Sequence, residues 1–422
     1  MGTVAFTANG LLRSLWPQKS IYEQMFEGSP ALGIARKDTS FGEEYRYIIM
    51  GYGAGQGIAS DYASAKQFRG ASKTVKFGVQ TRSYYATFSI EGKLWRAYRE
   101  TGNKALIVDP TTRESKNHMA QVKNDLGVYI HGNGVGSIGR ILSGSTTATI
   151  TLDTTSDGGA AARRIQPGMA IQTESTGATG GTINTGYVTI ASVGGTDTAP
   201  TVTCDQSAWN VGIPGIGATD YLYRFGTYDL APLIGFDAWG PDWSAGSPAA
   251  LLGATRSTYP RRLAGSVLDG TVMTPRQRAL KAARYVAEMG GQADTYLTST
   301  RNWENLANEL QASNRLQFSK VPAAPVGKMS LGINYDAIQL MGPTGPMDVL
   351  ADPWMPDNVE RCIQRDCMVL ASTGELLQWE PDASPGNPRL EDGADAHEVR
   401  LIGDMAFYLE AAAYQCRVKV TP

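Results

Sequence analysis

Histidine and serine, which often carry catalysis or bind metals, are not arranged for either task in this sequence. The three histidines, His118, His131 and His397, lie in no HExxH motif or other metal-ligand spacing. No GxSxG motif is present to mark a nucleophilic serine. We expect His118 on a helix surface and His131 at the helix C-terminus, where the helix dipole stabilises a positive charge.

The cysteines and one acidic cluster were the other candidates for metal chemistry. The four cysteines lack paired CxxC spacing and are expected to be free thiols in a reducing compartment; they are Cys204, Cys362, Cys367 and Cys416. Four carboxylates surround Gly393 without the EF-hand pattern; they are Glu391, Asp392, Asp395 and Glu398. Calcium binding stays open for this cluster, but a solvated acidic loop is favoured. We therefore predict no catalytic, cofactor-binding or metal-binding residue and expect that the chain is not an enzyme.

The segment Gly134–Gly139 matches the GxGxxG pattern of dinucleotide sites. That pattern binds a pyrophosphate when a strand precedes it and a helix follows. Here a helical pattern precedes it and a strand-like sequence follows. The sequence therefore predicts a hinge.

A basic cluster lies in the polar, glycine-rich connection Gly51–Ser72 and just beyond it. Its cations are Lys66, Arg69, Lys73 and Lys76, and Phe68 lies among them. Such a cluster can bind nucleic acid or an acidic surface of a neighbouring copy. We favour the neighbouring copy, because an exposed aromatic residue is typical of an interface. The predicted contact residues are Lys66, Phe68, Arg69 and Lys73.

Composition limits the range of functions. The chain has 422 residues and a formal net charge of −2, with a pI near 6.0. There is therefore no global positive field to attract nucleic acid. We expect neither secretion nor membrane insertion, because no apolar stretch of the required length is present.

Hydrophobic periodicity predicts the elements that carry these residues. Strands near 43–50 and 73–79 are expected to pair as a hairpin, with the second strand running on to Ile90. Helices are expected at Gly92–Thr101 and, from Asp109 as N-cap and Pro110, to His131.

The rest of the chain predicts a β unit followed by mixed elements. Short β patterns rich in Thr and Gly between 141 and 223 predict a small sandwich or barrel, with disorder as the alternative. Thr274–Glu288 and Thr300–Leu310 are predicted helices with a buried strand at 294–298 between them. Strands near 347–350, 367–370, 375–379, 405–415 and 417–420 end the chain, giving an α+β fold with a β insertion.

Several segments resemble the major capsid proteins of tailed bacteriophages, which have the Hong Kong 97-like fold. They are FGVQTRSYYATF at 77–88, IEGKLWR at 90–96, LGVYIHGNG at 126–134, YLTSTRNWENL at 296–306 and MDVLADPWMP at 347–356. The resemblance covers most of the chain and depends on the order of elements.

This resemblance implies a domain organisation. An N-terminal arm would occupy 1–40, an extended-loop hairpin 41–90, and a β-rich insertion 141–225. The peripheral domain would comprise 91–140 and 341–422, with a spine helix at 110–131, and the axial domain 226–340. Some relatives crosslink their subunits through Lys and Asn, but no matching motif for the partners of Lys66 or Lys73 is found.

The implied function is that of an icosahedral shell subunit in the virion, assembled in the bacterial cytoplasm. Its partners would be other copies in pentamers and hexamers, together with scaffolding, portal and decoration proteins, and packaged DNA held by loose non-specific contact. No membrane partner and no cofactor are expected. The alternatives are a phage tail or fibre protein and a carbohydrate-active enzyme with a β module. A bacterial encapsulin shares the resemblance but would not be expected to carry this large insertion.

Overall fold

The computed structural model describes residues 29–42, 45–92, 104–157, 161–196, 198–312, 338–384, 389–391, 393 and 395–421. The helical pieces predicted before Ser29, and nearly all of the helix predicted at Gly92–Thr101, lie outside these ranges. None of the described helices has the length and apolar character needed to cross a membrane.

Ten α-helices lie within the described ranges. They are α1 Pro30–Ile34, α2 Tyr62–Gln67, α3 Lys104–His131, α4 Thr154–Asp157, α5 Ala161–Arg164, α6 Trp209–Gly212, α7 Phe236–Trp239, α8 Pro260–Leu263, α9 Pro275–Glu288 and α10 Thr300–Ala312.

The strands form a hairpin, a closed barrel and two sheets, which we call sheet A and sheet B. The hairpin contains β2 Arg46–Gly53 and β3 Lys73–Val79. Sheet A contains β1 Arg36–Asp38, β4 Arg82–Glu91, β16 Met368–Ser372, β17 Gln378–Trp379, β18 Arg389–Leu390 and β19 Ala396–Leu409. The barrel contains β5 Ser137–Ser143, β6 Thr149–Leu152, β7 Ala170–Glu174, β8 Val188–Thr196, β9 Ala199–Cys204 and β10 Tyr221–Arg224. Sheet B contains β11 Ser266–Asp269, β12 Thr295–Thr298, β13 Ile338–Gly342, β14 Gly345–Ala351, β15 Val359–Ile363 and β20 Gln415–Lys419.

The predicted hairpin is confirmed, but its second strand is shorter than expected. β2 and β3 pair antiparallel, with Ile48 opposite Phe77. The prediction of one strand running on to Ile90 is wrong, because the chain leaves the ladder at Gln80 and Thr81. It re-enters as β4, which pairs with β19 in sheet A. The alternating pattern continued across this break because both strands bury one face.

The long helix α3 is confirmed, but it begins at Lys104, six residues before the predicted start at Pro110. Lys, Ala and Leu at 104–106 are good helix formers. The helix ends at His131, as predicted. At Gly127 an added Cβ would lie 2.4 Å from the Trp354 ring, so this glycine lets the indole lie directly on the helix.

The insertion is a closed antiparallel barrel of six strands in the order β10-β5-β6-β9-β8-β7. This confirms the prediction of a small sandwich or barrel, although the first strand begins at Ser137 rather than near 141. Trp209 is fully buried, and its indole Nε1 donates to the Ala148 carbonyl at 3.1 Å. The barrel therefore has a packed interior.

The tail strands confirm the prediction in part. Residues 345–351, 368–372 and 415–419 are strands as expected. The strand expected at 405–415 instead runs from Ala396 to Leu409 and is followed by a 3₁₀ turn at Ala412–Tyr414. The strand expected at 375–379 is reduced to Gln378 and Trp379.

Helices α9 and α10, with β12 between them, confirm the predicted helix, strand and helix. Thr274 caps α9 in a capping box with Gln277. Both helices contribute to a core shared with sheet B, which includes Ala283, Leu306 and Val349.

A buried ion pair crosses this core. The Arg278 guanidinium donates to both carboxylate oxygens of Glu360, at 2.8 and 3.1 Å. The Tyr296 hydroxyl donates to the same carboxylate at 2.6 Å and the Thr298 hydroxyl at 3.2 Å. Burial raises the pKa of Tyr296 well above its usual value, which keeps this phenol a donor. Glu360 is therefore fully satisfied and connects α9 to β12.

We predict that Glu360→Ala destabilises the protein strongly, because it leaves the Arg278 guanidinium buried without its carboxylate. Removing one member of a buried pair costs about 3–5 kcal/mol. Urea unfolding followed by circular dichroism measures the loss. The matched control is Glu304→Ala on the exposed face of α10, expected to change stability by less than about 0.5 kcal/mol. Equal unfolding midpoints for the two variants would contradict this role of Glu360.

Candidate functional site

Three of the predicted contact residues lie at the tip of the β2–β3 hairpin, and the fourth, Lys73, begins β3 beside it. The opposite end of the hairpin is anchored in the protein core. On the inner face Ile48, Met50, Phe77 and Val79 are buried. The Phe77 ring lies 5.4 Å from that of Trp239 in α7, measured between centroids. We call this anchored end the hairpin root.

Polar contacts fix the hairpin root from the other side. Asp38 at the end of β1 forms an ion pair with Arg46, whose guanidinium carbon lies 4.9 Å from the centre of the Phe41 ring. The hydroxyl and backbone amide of Ser40, together with Arg46, hold the pKa of Asp38 to about 2. The Gly78 amide donates to the Leu252 carbonyl at 3.3 Å. The root is thus held by three separate segments.

The tip, residues 54–72, is a folded unit. Its helix α2 is capped by Asp61, whose carboxylate accepts from the Ser64 amide at 2.9 Å. Gln56 and Gly70 form a β-bridge with two hydrogen bonds of 3.2 Å. Gly57 has a φ of +112°, and a Cβ there would lie 3.0 Å from the Ala65 carbonyl oxygen. The tip therefore holds a defined shape.

The surface of the tip is both apolar and cationic. Ile58 is 95%, Tyr62 81% and Phe68 67% exposed. All four predicted contact residues, Lys66, Phe68, Arg69 and Lys73, are exposed. Among the described residues, the three cations have no carboxylate partner. The exposed apolar side chains together form a patch that normally marks a protein contact.

Sequence reasoning missed part of this surface. The outer face of β2 exposes Tyr47 and Ile49, which alternate with buried residues. The helix α2 was also missed, since the connection was expected to be loop. Its signal is present in the sequence as Asp61 followed by Ala, Lys and Gln, which is an N-cap before good helix formers.

The barrel is tied to α3 and sheet A at one carboxylate. Asp125 in α3 forms an ion pair with Arg224 of β10 and accepts from the Tyr84 hydroxyl of β4 at 2.6 Å. Burial raises the pKa of Asp125 although the Arg224 guanidinium opposes the shift. Arg163 of α5 adds a contact of 3.2 Å to Asp357. The barrel therefore has a fixed orientation on the body of the protein.

The histidines occupy different surroundings from those expected. His118 is half-buried with its ring 4.9 Å from that of Phe88. His131 ends α3, as predicted, but it is buried and its Nε2 lies 3.2 Å from Asp352 Oδ2. That carboxylate also accepts from the Ser29 hydroxyl at 2.7 Å. The buried Asp352 carboxylate, rather than solvent, therefore lies beside the His131 ring at the end of α3.

The glycine motif and the acidic cluster were the other candidate motifs. Gly134 and Gly136 have positive φ angles between α3 and β5, in the helix-then-strand order predicted for a hinge. Glu398 pairs with Arg400 at 2.8 Å, and Asp392 lies outside the described residues.

All four cysteines are buried and free. Burial raises the pKa of Cys367 to about 11 and that of Cys416 to about 12, which disfavours thiolate chemistry. In the part of the chain that the structure describes, no group of three or more His, Cys, Asp or Glu is placed to hold a metal.

Comparison with known proteins identifies the fold. No family model matches the chain, and no curated protein matches its sequence. A chain of the cyanophage A-1(L) capsid asymmetric unit matches with a TM-score of 0.50 and 11% identity, over 94% of this chain and 93% of that one. The capsid chain of an empty GTA particle matches at 0.43 and 10% over 93% and 90%, and a chain from Microbacterium phage Oxtober96 at 0.41 and 10% over 93% and 91%. The likeness to the cyanophage chain confirms the predicted Hong Kong 97-like capsid fold.

We predict that stability depends on the root of the hairpin and not on its tip. Phe77→Ala removes a fully buried ring and should cost about 3–5 kcal/mol. Phe68→Ala, on the exposed tip, should change the free energy of unfolding by less than about 0.5 kcal/mol. Thermal and urea unfolding of the two variants in parallel measure the difference. Comparable losses in both would show that the tip packs on the body of the protein.

Proposed function

We propose that this chain is a structural subunit of an icosahedral virus shell, self-assembling into pentamers and hexamers that enclose double-stranded DNA. The observation that carries the proposal is the fold, which is shared with a cyanophage capsid chain over nearly the full length of both chains. A shell subunit needs surfaces that bind its own copies, and the hairpin tip has the character of such a surface.

The tip supports the proposal through its chemistry. Arginine and aromatic residues are enriched in interfaces, and Arg69 and Phe68 are exposed side by side. A tip that docks on a different surface of the next copy makes a heterologous contact, which builds a ring when the rotation between copies closes. Lys66, Phe68, Arg69 and Lys73 are the proposed contact residues. Nucleic-acid binding by the tip is less favoured, because DNA backbone contacts do not need the exposed Ile58 and Tyr62.

The domain assignment is part of the proposal. Residues 1–40 would be the arm, 41–90 the extended loop, and 141–225 the insertion. Residues 91–140 and 341–422, with the spine helix at 110–131, would form the peripheral domain, and residues 226–340 the axial domain. The partners would be other copies, with scaffolding, portal and decoration proteins, and packaged DNA held loosely. The subunit would act without catalysis, in a virion assembled in the bacterial cytoplasm.

Expression and imaging test the proposal. The chain is expressed alone and with its neighbouring phage genes, and both preparations are examined by electron microscopy. Closed shells are expected in the second preparation, and shells or capsomer rings in the first. Long uniform tubes in both would favour the tail alternative, and monomers in both would contradict self-assembly.

We predict that the double charge reversal Lys66→Glu with Arg69→Glu prevents shell formation while the monomer stays folded. Both side chains are exposed and make no ion pair within the described residues, so the change in stability should stay within about 1 kcal/mol. Circular dichroism measures folding, and sedimentation with electron microscopy measures assembly.

Two matched variants control this experiment. Lys66→Arg with Arg69→Lys keeps both charges and should assemble. Lys66→Gln with Arg69→Gln removes the charges without adding acid to the last turn of α2, and it should assemble weakly. Normal shells from the charge-reversed protein would exclude the tip as a contact.

A further inference from the structure

A second cationic surface lies on the helices beside sheet B. In the parts of the chain that the structure describes, arginines are normally paired with carboxylates. Among these described residues, six that are at least partly exposed form neither an ion pair nor a side-chain hydrogen bond to a carbonyl; they are Arg69, Arg261, Arg262, Arg276, Arg301 and Arg389. Four of these six lie on α8, α9 and α10. The unpaired arginines of the described residues are therefore most frequent on these three helices.

Two guanidinium groups in this region are held beside one ring. The guanidinium carbon of Arg261, in α8, lies 5.4 Å from the centre of the Tyr285 ring. That of Arg284, in α9, lies 5.3 Å from the same centre. Cation–π contacts of this kind fix an arginine without neutralising it. Tyr285 therefore keeps two positive charges in a defined place on the surface.

The charges around this ring are mostly of one sign. Lys281 lies one turn before Arg284 on α9, and like charges at this spacing repel each other. Arg262 adjoins Arg261. Arg284 forms an ion pair with Glu288 on this face, with 3.2 Å between Nε and Oε1, and both side chains are about half exposed. A helix that keeps such repulsion is suited to binding an anion, and arginine matches the geometry of phosphate oxygens.

We propose that α8 and α9 form a surface that binds the phosphate backbone of double-stranded DNA without sequence preference, through Arg261, Arg262, Lys281 and Arg284. The inference rests on the proposed function in one respect: duplex DNA is chosen as the polyanion because a shell would enclose it. An overall net charge of −2 makes the interaction local, weak and strongly dependent on salt. The proposal also assigns this face of the subunit to the side that meets the packaged genome.

DNA binding by the full-length protein tests the proposal. Anisotropy of a labelled duplex of about 30 base pairs is measured from about 50 to 200 mM salt, a range in which phosphate contacts weaken steeply. Arg261→Gln with Arg284→Gln should weaken binding about tenfold or more at the lowest salt. It should also reduce the slope of log affinity against log salt by about 2, one for each lost contact.

Matched variants separate this site from general charge. Arg389→Gln removes another exposed arginine that forms no ion pair within the described residues, on β18 opposite Glu398 in sheet A, and should leave DNA affinity unchanged. Arg261→Lys with Arg284→Lys should keep the salt slope. If the double glutamine variant does not fold, Lys281→Gln alone should reduce the slope by about 1. The tip variant Lys66→Glu with Arg69→Glu should bind DNA as the native protein does.

Three outcomes would overturn the proposal. They are an unchanged affinity and slope in the glutamine variants, tighter binding of polyglutamate than of DNA, and loss of shell assembly in the glutamine variants with DNA binding intact. The last two would indicate an acidic protein or a second copy as the occupant. If shells form but this DNA binding is absent, the proposed function is retained and the DNA-binding site is rejected. If DNA binding is as expected but no shells form, the site is retained and the proposed function is rejected.

Discussion

The packing of Phe77 against Trp239 sets the direction of the exposed hairpin tip. Within the described residues, no hydrogen bond or ion pair joins residues 54–72 to the body of the protein, so the position of the tip depends on how firmly the hairpin root is held. The Trp239 indole donates to the Phe407 carbonyl at 3.3 Å, and the Phe236 and Phe407 rings lie 5.0 Å apart. The hairpin is therefore connected through α7 to β19, the longest strand of sheet A. Dense aromatic packing of this kind resists bending, because close-packed interiors transmit force rather than deform.

Buried charges join the barrel and the two sheets into a fixed arrangement. Each buried ion is expensive to remove from water, so the geometry of its partners is restricted. Asp125 requires both Arg224 from the barrel and Tyr84 from sheet A, and these come from distant parts of the sequence. Asp237 of α7 pairs with both Arg361 and Arg417, which lie on the adjacent inner strands β15 and β20 of sheet B. An insertion attached by hydrophobic contact alone could slide, whereas one attached through a buried ion pair has one favourable position.

The sequence predicted those elements whose signals are local and missed those set by distant partners. The alternation of Val75, Phe77 and Val79 identified β3, and Thr274 with Pro275 marked the start of α9. The break at Gln80 was not predictable, because the partner of β4 lies more than three hundred residues later, in β19. Asp109 and Pro110 resembled a helix start, but favourable residues before them extend α3. At the tip, exposure of Lys66 and Arg69 followed from polarity, whereas the outer face of β2 depends on which side of the hairpin meets the core.

The two cationic surfaces differ in what surrounds the charge, and this difference argues for two kinds of partner. At the tip, Lys66 and Arg69 lie among exposed Ile58, Tyr62 and Phe68, which would gain from being covered by another protein. Beside α8 and α9, two guanidinium groups contact the Tyr285 ring, and the Tyr259 ring before α8 is 39% exposed, less than Ile58, Tyr62 or Phe68 at the tip. Phosphates satisfy such a surface without burying apolar area. A chain with a net charge of −2 has exposed cations at both surfaces, so each can attract an anionic partner locally while the whole subunit is not drawn to DNA.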